Sequence, residues 1–154
     1  MDIADLLSLE GVLPRLKAAS KKQLLQELAQ HAATLSGLDE RQIFEVLLER
    51  ERLGTTGVGR GIAIPHGKFA KLERLIGVFA RLEQPIGFDA VDDKPVDLVF
   101  LLLAPESAGA DHLKALARIS RLLRDETVCA KLRGSESREA LYALLTDERA
   151  SHAA

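Results

Sequence analysis

The chain has 154 residues, 47% hydrophobic and 29% charged, with a formal net charge of −2. That length suits one domain with a sizeable core, and the near-neutral charge gives no hint of a nucleic-acid partner, which would call for a basic face. The longest apolar run, Leu98 to Ala104, is far too short to cross a bilayer, and the N-terminus carries Asp2 and Asp5 in place of a basic leader; the expectation is a cytoplasmic protein with no membrane insertion.

In chain order, Ser20 with Gln23 three residues later forms a capping-box pattern. Leu24, Leu25, Leu28, Ala32 and Leu35 then keep helical spacing until Gly37 ends the run. Asp39 with Gln42 repeats the cap, and Ile43, Phe44, Leu47 and Leu48 carry a second amphipathic helix to about Arg52. A glycine loop follows (Gly54, Gly57, Gly59, Gly61), then the short alternation Ile62-Ala63-Ile64, which reads as a strand. Leu75 to Leu82 predicts a second strand and Phe88 to Val91 a short third. Val96 to Leu103, apolar except for Asp97, predicts a central strand buried on both faces.

The last third is helical. Leu113, Leu116, Ala117, Ser120 and Leu123 define one helix up to Asp125, and Val128 and Leu132 a shorter one ending near Gly134. Ser135 or Ser137 caps a final helix through Leu141, Leu144 and Leu145. The single cysteine, Cys129, falls in the shorter helix and reads as a buried thiol without an internal disulfide partner. After Asp147 the residues turn polar and small, and 148–154 is expected to be a disordered tail. The pattern predicts an α/β fold with a mixed parallel/antiparallel sheet flanked by helices on both faces, because the strands at 75–82 and 86–91 are too closely linked for a parallel crossover.

Two of the four histidines occupy positions suited to chemistry. His66 follows Pro65, which fixes its own φ and lacks an N–H, and precedes Gly67, which leaves the imidazole uncrowded. It is expected at a strand end, where ligands of α/β proteins commonly sit. His112 lies beside Asp111 at a helix start, just past the Pro105–Gly109 loop that leaves the buried strand; unpaired N–H groups at such a terminus favour anions. His31, late in the first helix, and His152, in the tail, read as surface residues.

The run Arg50-Glu-Arg-Leu-Gly-Thr-Thr-Gly-Val-Gly-Arg-Gly-Ile-Ala-Ile-Pro-His-Gly-Lys68 resembles the phosphorylation-site signature of enzyme IIA domains of the bacterial phosphoenolpyruvate-dependent phosphotransferase system, in the fructose–mannitol–nitrogen class. Gly87 to Asp92, Pro95 to Phe100, and Asp111-His112-Leu113 through Asp125 extend the likeness over about Leu6 to Thr146, and the nitrogen-regulatory subtype is the nearest pattern. The resemblance implies a single phosphocarrier domain over 1–147. It implies that His66 accepts the phosphoryl group on Nε2, with Nδ1–H given to a backbone acceptor. It further implies that His112 and Arg50 stabilise the phosphoryl group. Thr55 stands where serine is common and keeps the hydroxyl. Arg60 stands where asparagine is common; it adds a positive charge expected near the site, in a basic rim with Arg50 and Lys68.

A neutral imidazole is nucleophilic near pH 7, and its phosphoramidate stays reactive enough to pass the group on. Transfer then rests on positioning and charge stabilisation. The resemblance implies no cofactor, since the phosphoryl donor is an HPr-type carrier protein and neither a metal nor a nucleotide is needed. The partners it implies are that carrier and regulatory target proteins such as sensor kinases or potassium transporters. Two other readings stand beside it. One is a sugar-transport IIA component passing phosphate to a separate IIB domain. The other is a metal-dependent hydrolase using His66 and His112, for which no third ligand stands at a recognised spacing.

Overall fold

The structure, a computed structural model, describes residues 1–147. The tail at 148–154, with His152 in it, lies outside the described residues. In chain order the strands are β1 (Leu7–Leu16), β2 (Gly57–Gly59), β3 (Ile62–Ala63), β4 (His66–Phe69), β5 (Ile76–Ile86) and β6 (Val96–Pro105). The helices are α1 (Lys21–Ser36), α2 (Glu40–Arg52), α3 (Ala110–Arg124), α4 (Glu126–Arg133) and α5 (Arg138–Thr146).

The sheet grows outward from β6, whose continuous apolar run suits a strand covered on both faces. On one side β6 pairs antiparallel with β5, and β1 adds to β5 in parallel. On the other side it pairs in parallel with both β3 and β4, while β2 folds back antiparallel on β3. Side chains alternate across this sheet. Val99, Leu101 and Leu103 join Val78 and Ala80 beneath α1 and α2. Leu98, Phe100 and Leu102 join Ile62 and Ile64 beneath α3, α4 and α5. Every residue from Leu98 to Ala104 is fully buried, so cutting any of these leucines to alanine removes about 2–5 kcal/mol. The mixed sheet with helices on both faces is the architecture the pattern predicts.

The capping residues behave as the sequence requires. Ser20 and Asp39 accept from the backbone N–H of Gln23 and Gln42, and Ser137, not Ser135, caps α5. Three features differ from the sequence expectations, β1 being a strand for which none was made. First, the segment Phe88–Val91 is not a strand. Its alternation is real, with Phe88 and Ala90 buried and Val91 71% exposed, but Asp89 has φ 54°, which breaks an extended ladder. Second, β1 carries no alternating signal: its register with β5 shifts between Leu7 and Val12, so the inward residues lose their period of two. Pro14 is tolerated there because β1 pairs with β5 alone. Third, His66 begins a strand instead of ending one.

Candidate active site

Strands β3 and β4 form one line of chain beside β6, interrupted at Ile64-Pro65. Pro65 has no N–H to give, yet its carbonyl accepts from the Leu102 N–H at 3.0 Å, so the register along β6 survives the break. His66 pairs with Leu102 and shares the parity of Ile62 and Ile64, which aims its ring toward α3. Next to it, Gly67 lets α2 approach: a Cβ there would fall 2.7 Å from Cγ1 of Val46. The His66 imidazole thus sits between the N-terminal end of α3 and the C-terminal end of α2.

Its Nδ1 lies 2.9 Å from the Ile64 carbonyl. A carbonyl can only accept, so the Nδ1–H donates and Nε2 keeps its lone pair. The tautomer that the sequence leaves open follows from this contact. Partial burial lowers the His66 pKa from its ordinary value; the Ile64 bond opposes this, the Arg50 charge adds to it, and Glu51 opposes it again. At neutral pH the ring is uncharged and able to attack.

His112 occupies the first turn of α3 and is 6% exposed. The two imidazoles meet edge to face, with centroids 5.7 Å apart and planes at 69°. Nε2 of His112 is buried with no hydrogen-bond partner among the described residues. Burial lowers the pKa of this ring, and the charges of His66 and Lys68 add to the effect. A buried imidazole nitrogen without a partner costs stability unless it meets one in some state of the molecule.

On the α2 side, Arg50 lines the same cleft, of about 390 Å³, together with His66, His112 and Lys68. One of its N–H groups donates to the Gly54 carbonyl at 2.8 Å, which fixes the guanidinium at the helix end. The neighbouring Glu51, 8% exposed, is a residue the sequence reading passed over. It accepts from the Thr56 N–H at 3.0 Å and from the Thr56 hydroxyl, and pairs with the Lys21 ammonium at 3.0 Å. Together these contacts tie α1, α2 and the glycine loop into one wall. The signal for it was present: Ile43, Leu47 and Glu51 lie at successive i, i+4 positions, so Glu51 continues the buried stripe of α2.

The structure brings His66, His112 and Arg50 together and removes Arg60 from their company. Arg60 turns the β2–β3 hairpin, and its guanidinium reaches the Arg124 carbonyl at 3.3 Å. Arg124 is twelve residues along α3 from His112, roughly 18 Å at 1.5 Å per residue. The expected basic rim therefore keeps Arg50 and Lys68 but loses Arg60. Cys129 is buried as expected, its thiol directed at the Leu123 carbonyl, and burial pushes its pKa up. His31 is half-buried on α1, away from the cleft-lining residues. Among the described residues no group of three or more His, Cys, Asp or Glu side chains is placed to hold a metal ion, and no helix is long and apolar enough to cross a membrane.

A mixed α/β sheet with a neutral imidazole at its edge, faced by a second imidazole and an arginine, has the layout of a phosphoryl-handling domain. The family model for the phosphoenolpyruvate-dependent sugar phosphotransferase system, EIIA 2, matches residues 5–148, and the chain belongs to that family. It is 63% identical over 145 residues to a nitrogen regulatory protein of Bradyrhizobium diazoefficiens, covering 94% of this chain and 95% of that one. It is 42% identical over 148 residues to a nitrogen regulatory protein of Escherichia coli, covering 96% and 91%. Its fold superposes on the crystal structure of nitrogen regulatory protein IIA-Ntr from Neisseria meningitidis with a TM-score of 0.89, at 38% identity, over 94% of this chain and 99% of that one. The phosphotransferase-system phosphocarrier role follows from this membership.

Proposed function

We propose that residues 1–147 act as one phosphocarrier unit in which Nε2 of His66 takes a phosphoryl group from an HPr-type carrier and the resulting charge state governs binding to regulatory targets. The observation that carries this reading is the Nδ1–H bond from His66 to the Ile64 carbonyl, which leaves Nε2 as the free nucleophile beside the unpartnered Nε2 of His112. In the transfer, the Nε2–P bond forms as the P–N bond of the donor phosphohistidine breaks, and the donor imidazole keeps the released electron pair. The Ile64 carbonyl supports the positive charge that grows on the His66 ring. His112 and Arg50 donate to the phosphoryl oxygens, which the dipole of α3 also favours.

A protein donor suits the surroundings. Leu53 of the cleft is 81% exposed and Leu113, next to His112, is 69% exposed, and large apolar side chains held out in solvent at a site mark a protein contact. Phosphorylation adds up to about two negative charges between Arg50 and Lys68, enough to change the affinity of an acidic partner surface.

Incubation with phosphoenolpyruvate, enzyme I and an HPr-type carrier is expected to add one acid-labile phosphate, which His66→Ala abolishes. Phosphate found on His112 of the intact protein would overturn the assignment. Phosphorylated and unphosphorylated protein are expected to retrieve partners unequally. Equal retrieval, with rapid passage of the phosphate to a separate sugar IIB domain, would replace regulation by transport.

A further inference from the structure

Along the second half of α3, the β2–β3 hairpin and the helix enclose a second cleft of about 340 Å³. Ile62, Ile64 and Leu123 line it, and Val58, 53% exposed, stands at its rim. It continues into a neighbouring cleft of about 240 Å³ that shares Arg60, Ile62, Leu123 and Arg124. Four arginines border the pair, and three of them line the first cleft: Arg60 from the hairpin, and Arg121 and Arg124 from α3. The guanidinium of none of these three has an acidic partner among the described residues, whereas the fourth, Arg133, is paired with Asp97 at 2.9 Å. Glu126 is the one acid among the lining residues of either cleft.

Arg60 is held in place at some cost. Its φ is 58°, the left-handed region that suits glycine or asparagine and costs other residues about 1 kcal/mol or more. Three contacts pin it: its N–H donates to Asp92 at 2.9 Å, its carbonyl accepts from Arg133 at 2.8 Å, and its guanidinium donates to the Arg124 carbonyl. A smaller, neutral residue would ease this turn. What the arginine adds is charge over an aliphatic floor.

We propose that this groove docks an acidic amphipathic segment of a partner protein. Apolar side chains of that segment enter the aliphatic floor, and its carboxylates meet Arg60, Arg121 and Arg124. Arg121 and Arg124 stand three residues apart on one helix, the spacing that matches acidic groups one turn apart on the incoming segment. The groove lining contains no aromatic side chain, so it lacks the stacking platform a nucleic-acid strand uses. Arg121 and Arg124 lie nine and twelve residues along α3 from His112, roughly 14 and 18 Å at 1.5 Å per residue, which leaves room for the phosphoryl donor and this partner to bind together. The proposal therefore stands or falls apart from the chemistry at the histidines.

The test uses a fluorescein-labelled synthetic peptide of repeated Leu-Glu-Glu-Leu units, followed by anisotropy at low salt, with methyl NMR on the full chain. Binding is expected to shift Val58, Ile62, Ile64 and Leu123 methyls. The double change Arg121→Glu with Arg124→Glu should weaken it about tenfold or more, since partly desolvated charge pairs turn repulsive. Arg60→Asn, which relaxes the turn and so guards against misfolding, should weaken it less, in the same direction. All these variants should accept phosphate at His66 at the wild-type rate. Several results would overturn the proposal: no measurable binding, equal affinity for the charge-reversed protein, equal affinity for a peptide with serine replacing leucine, shifts centred on Val46 and Leu53, or displacement of the peptide by a single-stranded oligonucleotide.

Discussion

The wall of the histidine cleft built on α2 buries Glu51, and the wall built on α3 buries His112; the two residues are 8% and 6% exposed. Their surroundings are opposite. Glu51 meets Thr56 twice and Lys21 once, so its oxygens are occupied in the structure as it stands. His112 lines the cleft, and its buried Nε2 has no partner among the described residues. A satisfied buried carboxylate holds elements together. An unsatisfied buried imidazole facing another imidazole loses stability, and on the proposed mechanism recovers it when a phosphoryl oxygen arrives. Two polar residues of similar burial on either side of His66 thus differ in hydrogen bonding, one satisfied and holding, the other unsatisfied and, on the proposed mechanism, receiving.

The largest effect that would break this contrast is a stability change at Glu51. Glu51→Ala leaves Thr56 and Lys21 without their shared carboxylate inside a mostly buried wall, and the expected loss is roughly 3 kcal/mol in urea unfolding. Glu51→Gln keeps an acceptor and should lose less. A Glu51→Ala protein as stable as the parent would mean that the wall is held by packing alone.

His112→Ala should do the reverse. Removing an imidazole whose Nε2 has no partner relieves one unsatisfied group while opening a small void, so the unfolding free energy should move by less than about 1 kcal/mol. Phosphoryl transfer to His66 should slow by a factor corresponding to about 1.5–3 kcal/mol, the worth of one charge-assisted donor used in the transition state. Single-turnover transfer from a phosphorylated HPr-type carrier measures it. Unchanged rates in both directions, with a clear stability loss, would make His112 a second Glu51.

Much of this was legible from local chemistry. The caps Ser20–Gln23 and Asp39–Gln42 place α1 and α2, and the apolar run from Leu98 marks the centre of the sheet, because each signal acts within a few residues. His66 and His112 were legible as a pair from their flanking Pro65, Gly67 and Asp111, although whether they touch depends on the parallel pairing of β4 with β6. What failed depended on longer-range geometry. Arg60 is six residues from His66, and a nearly extended chain of that length carries it roughly 20 Å away. Phe88–Val91 alternates because it packs under the glycine loop, where the Phe88 carbonyl accepts from the Thr55 hydroxyl at 3.1 Å. That contact imitates the strand period without a ladder. The Glu51 network needed the observation that a charge can continue an apolar stripe.

Acid should expose the contrast in stability. Both imidazoles have pKa values lowered by the fold, chiefly through burial, so the unfolded chain binds more protons than the native state once pH falls below about 6.5. Their burial therefore costs nothing above that value. A penalty appears as pH drops through it, grows, and levels off below the lowered native values. Melting temperature against pH should fall more steeply over this window for the parent than for a His66→Ala, His112→Ala double variant. Identical slopes would mean that the two rings titrate as they do in the unfolded chain.

The smallest effect concerns the two α2 charges that face His66 and act on it in opposite senses. Below the leading influences of burial and the Ile64 bond, Arg50 lowers the His66 pKa and Glu51 raises it, with Arg50 the stronger of the pair. Arg50→Gln removes a repelling positive charge, so the protonated ring becomes easier to form and the midpoint should rise. Glu51→Gln removes an attracting negative charge, and the midpoint should fall by a smaller amount. Both can be read from the His66 ring resonances across a pH titration, without any phosphoryl donor present. Neither change touches the Nδ1–H bond to Ile64, so the tautomer at the start of the titration should be the same in both variants and the parent. Movement of both midpoints in the same direction would show that the substitutions act by shifting the α2 wall and altering burial. In that case the holding role of Glu51 would account for its whole influence on the histidine.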